Sequence, residues 1–219
     1  MINNQTENRT RIITTLSILA AISLVLLAIP FLRFPIFPTA PFLEFDMADV
    51  PIILGALIFG PFWGLILTLV VCIFQGIVLS SNSGIWGILM HFIASGTYVV
   101  VAGAFYRRGM SKKNPLGLLI GTITAVAIMM PANIVITPIY TGAPRQVIID
   151  MILPTLLPFN LIKFAANSII AYILFNKLDK QIDMLIMKKN YPDEQELDLL
   201  DTNENKETIE KNNPAEYTN

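Results

Sequence analysis

The sequence predicts an all-α membrane protein with six transmembrane helices and both termini in the cytoplasm. The chain has 219 residues, of which 54% are hydrophobic and only 14% are charged, far from the composition of an ordinary soluble domain. Several apolar runs approach or exceed the ~20 residues that an α-helix needs to cross a bilayer, and no period-2 alternation indicates a barrel. We therefore expect a multi-pass protein of the cell membrane, in contact with lipid.

Charge divides the chain into a basic body and an acidic tail. Residues 1–189 contain 13 basic and 7 acidic residues, whereas residues 190–219 contain 2 basic and 9 acidic residues. Acidic segments with few apolar residues stay solvated and unfolded. We expect a cytoplasmic N-terminus at 1–11, a six-helix transmembrane domain at 12–178 and an acidic, disordered cytoplasmic tail at 179–219.

The predicted helices follow the apolar runs. The first run begins after Arg9 and Arg11, as in a signal peptide, but it is longer than a typical signal sequence and no clear small-residue cleavage site follows it. We therefore expect a retained span. The run 47–79 is too long for one span, and Gly60-Pro61 divides it, because proline removes a backbone donor and biases the preceding residue away from helix. The expected spans are about 12–31, 47–59, 62–80, 85–106, 116–139 and 154–176.

The positions of the basic residues favour six spans over five. Basic residues in short loops favour the cytoplasmic side. With six spans, the N-terminus, the segment 106–113 and the end of the last helix all lie inside, whereas five spans would separate the first two of these. The segments 33–45, 80–84 and 140–150 then lie outside.

The outer segment 33–45 combines prolines with phenylalanines. The prolines predict a stiff, extended connection, and the phenylalanines place aromatic surface at the membrane edge. One interpretation is an interfacial aromatic belt, and the other is a lid folded over a ligand site. The residues concerned are Pro35, Pro38, Pro41, Phe34, Phe37, Phe42 and Phe45.

Several kinds of chemistry are excluded by the residue inventory. His91 is the single histidine, which excludes metal sites that need two or three imidazoles and favours a helix-packing hydrogen bond for this side chain. Cys72 is the single cysteine, so no internal disulfide forms and a small core residue is expected. The sequence has no G-x-x-x-x-G-K-[ST] phosphate loop, so we expect no ATP hydrolysis by this chain and no nucleic-acid partner.

Polar residues inside the last apolar runs predict a pocket. Lys163 lies well inside the last span, where a lysine costs ~3 kcal/mol on insertion scales. Asn160 shares its helix face, and Asn167 follows one turn later. Asn133, on the preceding span, lies at a similar depth. We expect a polar pocket open to the outside.

Three carboxylates lie where the outer segment meets the second helix. They are Glu44, Asp46 and Asp49. Three roles remain open for them: they serve the pocket, pair with Lys163, or cap the helix, for which Asp46 and Asp49 are well placed.

Three stretches of the sequence together resemble a known family. FPTAPFLEFDMADVPIILGALIFGPFWG, SNSGIWGILMHFIASGTYVVVAG and the asparagine of PANIVITPIY followed by NLIK resemble the substrate-binding S components of energy-coupling factor (ECF) transporters, specifically the riboflavin-binding RibU family. The resemblance covers roughly residues 12–176. It implies a six-helix S-component fold that captures riboflavin from outside, holds no cofactor, and works with a transmembrane coupling subunit and two cytosolic ATPase subunits.

The resemblance also implies roles for individual residues. Members of the family bind the flavin under the first outer loop, which implies ligand contacts at Asn133, Asn160 and Lys163. The cost of Lys163 would then be offset by the ligand. The loop candidates for ligand contact are Thr39, Phe42, Leu43 and Glu44.

S components present small residues spaced by four on the first helix, where the coupling subunit packs. This helix has no strict Ala-x-x-x-Ala pattern. The nearest match is Ser17-x-x-x-Ala21, with Ala28 continuing the face.

Three other functions remain open. An S component for another vitamin would share the fold. A stand-alone secondary carrier would commonly show internal repeats, and none is found. An intramembrane enzyme would have to use Glu44, Asp46, His91 or Lys163.

Overall fold

The computed structural model of the chain describes residues 2–78, 84–107 and 114–178. Most of the predicted loops 80–84 and 106–113, and the predicted acidic tail 179–219, lie outside these residues. A 3₁₀ turn, Pro30–Leu32, follows the first helix, and a π-helical turn, Ile152–Leu156, leads into the last one. The helices within the described part are α1 (Ile2–Ala28), α2 (Asp49–Phe59), α3 (Pro61–Val78), α4 (Gly84–Arg107), α5 (Leu116–Thr141), α6 (Arg145–Asp150) and α7 (Leu157–Lys177).

Among the described residues, four helical stretches are long and apolar enough to cross a membrane. They are Arg9–Ala28, Gly84–Tyr106, Leu116–Thr141 and Ile152–Lys177. Helices α2 and α3 are also apolar but shorter. The prediction of a helical membrane protein is confirmed. The short helix α6, which lies within the predicted outer segment 140–150, was not predicted from the sequence.

The long second apolar run reverses direction at Gly60 and Pro61. Gly60 has a φ of 94°, a conformation that favours glycine, and its N–H donates to the Ala56 carbonyl at 2.9 Å. Pro61 is the first residue of α3, where its missing N–H costs no helical hydrogen bond. The turn therefore forms where the sequence predicts it, and α3 returns alongside α2.

Helix α2 is short, and its position determines where a cavity can form. Its 11 residues correspond to ~16 Å, about half of the hydrocarbon thickness. The α2–α3 turn packs against Gly103, one helical turn before the end of α4 at Arg107. The start of α2 therefore lies about half-way along α4. The preceding loop and a cavity occupy the region beside the N-terminal half of α4.

That loop is a folded hairpin, which corrects the expectation of an extended connection. The strands β1 (Phe34–Pro35) and β2 (Glu44–Phe45) pair in antiparallel fashion, and two tight turns between them place the Ala40 N–H 3.0 Å from the Phe37 carbonyl and the Leu43 N–H 2.9 Å from the Ala40 carbonyl. Prolines supply fixed φ angles that suit such turns.

The hairpin packs onto the region where α6 leads into α7. Ala40, Leu43 and Phe45 form one buried cluster with apolar residues of that region, Ile148, Leu156 and Phe159. Phe34, in contrast, is 48% exposed. The four phenylalanines therefore do not form a uniform belt, and the loop lies over the helix ends as a lid would.

The contact of Gly103 with the α2–α3 turn predicts a stability effect. A methyl group there would lie 3.0 Å from the Ala56 carbonyl oxygen and 3.0 Å from the Pro61 nitrogen, both backbone atoms. Because backbone must shift to admit it, Gly103→Ala should lower the free energy of unfolding by ~1–3 kcal/mol, measured by thermal unfolding in detergent.

The matched control is Gly96→Ala on the same helix. Its added methyl group would first meet the flexible Leu65 side chain, at 3.3 Å, so we expect little change or a slight gain from helix propensity. Equal destabilisation of both variants would contradict the importance of the turn contact.

Candidate ligand-binding site

A cavity of about 430 Å³ lies among α3, α4, α5 and α7, beneath the hairpin loop. This volume is in the range of small-molecule sites, which are mostly apolar with a few placed polar groups. Aromatic and thioether side chains supply much of its lining, among them Phe42, Met90, Met129, Tyr140, Phe159 and Phe164.

Most of the predicted loop candidates border the cavity. Phe42, Leu43 and Glu44 line it, whereas Thr39 is not among the lining residues. Glu44 pairs with Arg33, whose Nε lies 3.0 Å from Oε2, so it does not serve as the partner of Lys163. This ion pair joins the chain just before β1 to β2 and closes the base of the hairpin.

The two predicted asparagines both line the cavity, Asn133 from α5 and Asn160 from α7. The Nδ2 of Asn133 donates to the Met129 carbonyl and that of Asn160 to the Leu156 carbonyl, each at 2.7 Å. The Oδ1 of Asn133 accepts from Thr137 at 3.0 Å. Among the described residues none donates to the Oδ1 of Asn160, so this oxygen is available to a ligand.

Lys163 borders the cavity and is also paired. Its Nζ donates to Asp46 Oδ2 at 2.7 Å and lies 3.7 Å from Asp49 Oδ2. The side chain of Lys163 is only 13% exposed and that of Asp46 5%. The two carboxylates therefore offset the free-energy cost of burying this lysine. Pairing with Lys163 is one of the three roles that the sequence left open for these aspartates.

Helix α7 also binds the backbone of Asp46. The Nδ2 of Asn167, which lies one turn beyond Lys163, donates to the Asp46 backbone carbonyl at 3.2 Å. Both asparagine and aspartate are buried. The end of the loop is thus attached to α7 through a side chain and through the backbone.

Helix capping, one of the three roles that the sequence left open for Asp49, is not the role that this residue takes. The residue before α2 is Ala48, without a side-chain cap, and its N–H donates to Asp46 Oδ1 at 3.1 Å. Asp49 is 1% exposed, and its Oδ1 accepts from Ser95 Oγ at 2.5 Å and from His91 Nε2 at 3.0 Å. It therefore ties α2 to α4 rather than capping α2.

The prediction of a hydrogen-bonding role for His91 in helix packing is confirmed. Besides Asp49 on α2, its ring contacts Gln75 on α3, with 2.6 Å between Nδ1 and Oε1. The sequence reading missed that His91 and Gln75 also border the cavity. The available signal was Gln75 itself, an amide within the otherwise apolar segment 69–78.

The residues predicted for partner docking lie away from this cavity. Ser17, Ala21 and Ala28 are exposed on α1, and none of them lines the cavity. Their small side chains leave one face of this helix open to close approach.

These features define a class of protein: a multi-pass membrane protein with a cavity of small-molecule size among its helices, beneath a folded loop. Residues 11–175 match the family described as the substrate-specific component of ECF transporters, and the chain belongs to this family. The family expectation from the sequence is thereby confirmed.

Individual relatives agree with this assignment. The chain is 32% identical to the riboflavin transporter RibU of Staphylococcus aureus (strain TCH60), over 80% of this chain and 93% of that protein. It is 30% identical to the riboflavin transporter FmnP of Bacillus subtilis (strain 168), over 78% of this chain and 93% of that protein. A solved S component of a bacterial ECF transporter superposes with a TM-score of 0.68 at 28% identity, covering 80% of this chain and 98% of that one.

The pairing of Lys163 predicts a large stability effect. Lys163→Met leaves Asp46 buried without its cation and Asp49 with His91 alone, so the free energy of unfolding should fall by ~3–5 kcal/mol. The double variant Lys163→Met/Asp46→Asn removes the unpaired charge of Asp46 and should recover part of that loss. Chemical unfolding in detergent measures both.

The control is Lys177→Met, at the exposed C-terminal end of α7, which should change stability by less than ~0.5 kcal/mol. A Lys163→Met variant as stable as the Lys177→Met variant would contradict the role of the pair.

Proposed function

We propose that this chain is the riboflavin-binding S component of an ECF importer, which captures the vitamin from outside and delivers it together with a transmembrane coupling subunit and two ATPase subunits. The chain would bind and present riboflavin without an ATPase of its own. The observation that carries the proposal is the common position of Asn133, Asn160 and Lys163 in the wall of one cavity beneath the loop. The names of the relatives, riboflavin transporters, support the same ligand.

The chemistry of the cavity suits a flavin. Riboflavin combines a flat, largely apolar ring system with a polar pyrimidine edge and a hydroxylated ribityl chain. Aromatic rings pack well against such a flat surface, and Phe42 and Tyr140 already form an edge-to-face pair with centroids 6.2 Å apart. Lys163 and the asparagines supply donors and acceptors for the polar parts.

The proposed topology has six crossings with both termini inside. Helices α1, α4, α5 and α7 are long enough to cross, and the hairpin of α2 and α3 supplies the other two passages. The α2–α3 turn lies at the same end of the bundle as Arg107, which agrees with an inner position by the distribution of basic residues. The cavity and hairpin loop then face outside.

The docking face proposed for the coupling subunit is the α1 surface with Ser17, Ala21 and Ala28. All three are exposed, and residues of this size allow two helices to approach closely. Bulkier exposed residues next to them, such as Val25, suit contact with lipid or with a partner alike.

Riboflavin binding tests the proposal directly. Riboflavin fluorescence should be quenched on titration into the detergent-solubilised protein. Asn160→Ala should raise the dissociation constant about 2- to 13-fold, the equivalent of one neutral hydrogen bond.

The matched control is Asn176→Ala. Asn176 lies on the same helix and makes the same kind of bond to its own backbone, 3.0 Å from the Tyr172 carbonyl, but it does not line the cavity, so affinity should stay unchanged. A folded wild-type protein that does not quench riboflavin fluorescence would refute the proposal.

The docking face gives a separate prediction. Ala21→Trp should prevent co-purification with the coupling subunit and abolish uptake, because the large ring blocks close packing, while riboflavin affinity stays at the wild-type value. Ala127→Trp, at an exposed position on α5, serves as the control and should keep the complex. Intact complex formation by Ala21→Trp would place the docking face elsewhere.

A further inference from the structure

The cavity has a second polar wall, formed by α3 and α4. Gln75 and Gly76 of α3 and Ile88 and His91 of α4 line it. A Cβ atom on Gly76 would collide with the Ile88 side chain, so the absence of a side chain at Gly76 lets the two helices approach here. This close approach places the Gln75 amide beside the His91 ring.

The orientation of the Gln75 amide is set by a chain of hydrogen bonds. The His91 ring lies between Gln75 Oε1, 2.6 Å from Nδ1, and Asp49 Oδ1, 3.0 Å from Nε2. Because both neighbours are oxygen atoms, the ring serves both of them only in its protonated form, in which each ring nitrogen carries a hydrogen. Asp49 is itself fixed by Ser95 at 2.5 Å, so the amide oxygen of Gln75 is held toward His91.

The donors of Gln75 are left without a partner. Its Nε2 carries two N–H groups, and no described residue accepts from them. Gln75 borders the cavity, and a polar group that loses water on ligand binding must be matched by the ligand or weaken the complex. A ligand that fills this cavity therefore needs an oxygen acceptor near α3.

We infer that Gln75 is a specificity-determining residue, which donates its amide N–H groups to a carbonyl or hydroxyl oxygen of the ligand, with His91 as the positioning residue behind it. The inference rests on the proposed function, since riboflavin offers both kinds of oxygen. The ligand is then bound from two sides: by Asn160 and Lys163 on α7 and by Gln75 on α3.

Two variants of Gln75 test this. Gln75→Met keeps the length of the side chain but removes the amide, and Gln75→Glu keeps an oxygen for His91 but replaces the N–H donors by an acceptor. Both should raise the dissociation constant of riboflavin, Gln75→Met about 5- to 30-fold and Gln75→Glu at least as much. The Glu variant retains the contact to His91 and so decides the question if the Met variant fails to fold.

The matched control is Gln146→Met. Gln146 is an exposed glutamine on α6 that donates to Asp150 at 2.9 Å and does not line the cavity, so its replacement should leave affinity unchanged.

A second ligand identifies the oxygen that Gln75 recognises. Lumiflavin has the same ring system with a methyl group in place of the ribityl chain. If Gln75 donates to a ribityl hydroxyl, Gln75→Met weakens riboflavin binding alone; if it donates to a ring carbonyl, both flavins lose affinity equally. Wild-type affinity for riboflavin in both folded Gln75 variants would overturn the inference alone, whereas a wild-type protein that binds neither flavin would overturn the proposed function and the inference with it.

Discussion

The architecture depends on four ionisable side chains buried among apolar helices: Asp46, Asp49, His91 and Lys163. Charges removed from water without partners cost several kcal/mol each, and paired charges are tolerated only with good geometry and additional hydrogen bonds. Here Lys163 contacts both carboxylates, at 2.7 and 3.7 Å, and His91 contacts Asp49 at 3.0 Å. Because these residues come from the loop, α2, α4 and α7, separating any of these elements would leave a charge unpaired.

The short α2 helix creates the space in which this cluster and the cavity meet. A helix of full membrane length here would fill the region beneath the hairpin with apolar side chains. Instead the Gly60 turn packs near the C-terminal end of α4, α2 begins at Asp49 about half-way along α4, and the hairpin covers the remaining space. Asp49 at the start of α2 thus lies 3.7 Å from Lys163 of α7, which lines the cavity.

The sequence predicted those features that depend on local chemistry. Glycine followed by proline marks a reversal whatever surrounds it, and asparagine or lysine in an apolar run is costly enough to indicate a polar site. Other features depend instead on contacts between segments that are distant in sequence: the packing of the hairpin on α6 and α7, the hydrogen bonds from Asp49 to α4, and the polar wall at Gln75. Asp46 and Lys163, for example, are 117 positions apart. An aspartate before an apolar helix has the same local pattern whether it caps that helix or bonds a neighbouring one, so only the packing of α4 against α2 distinguishes the two roles for Asp49.

Lys163 connects the stability of the fold with ligand binding. An ammonium group has three N–H donors, and the hydrogen bond to Asp46 uses one of them, while Asp49 at 3.7 Å is an ion-pair neighbour beyond hydrogen-bonding distance. At least one donor is therefore available at the cavity without breaking the contact that attaches the loop to α7. Since the carboxylates already offset the cost of burying the ammonium group, a ligand meets a donor that is fixed in place and need not supply the free energy to bury it. The same arrangement explains why a lysine is compatible with this depth before any ligand has bound.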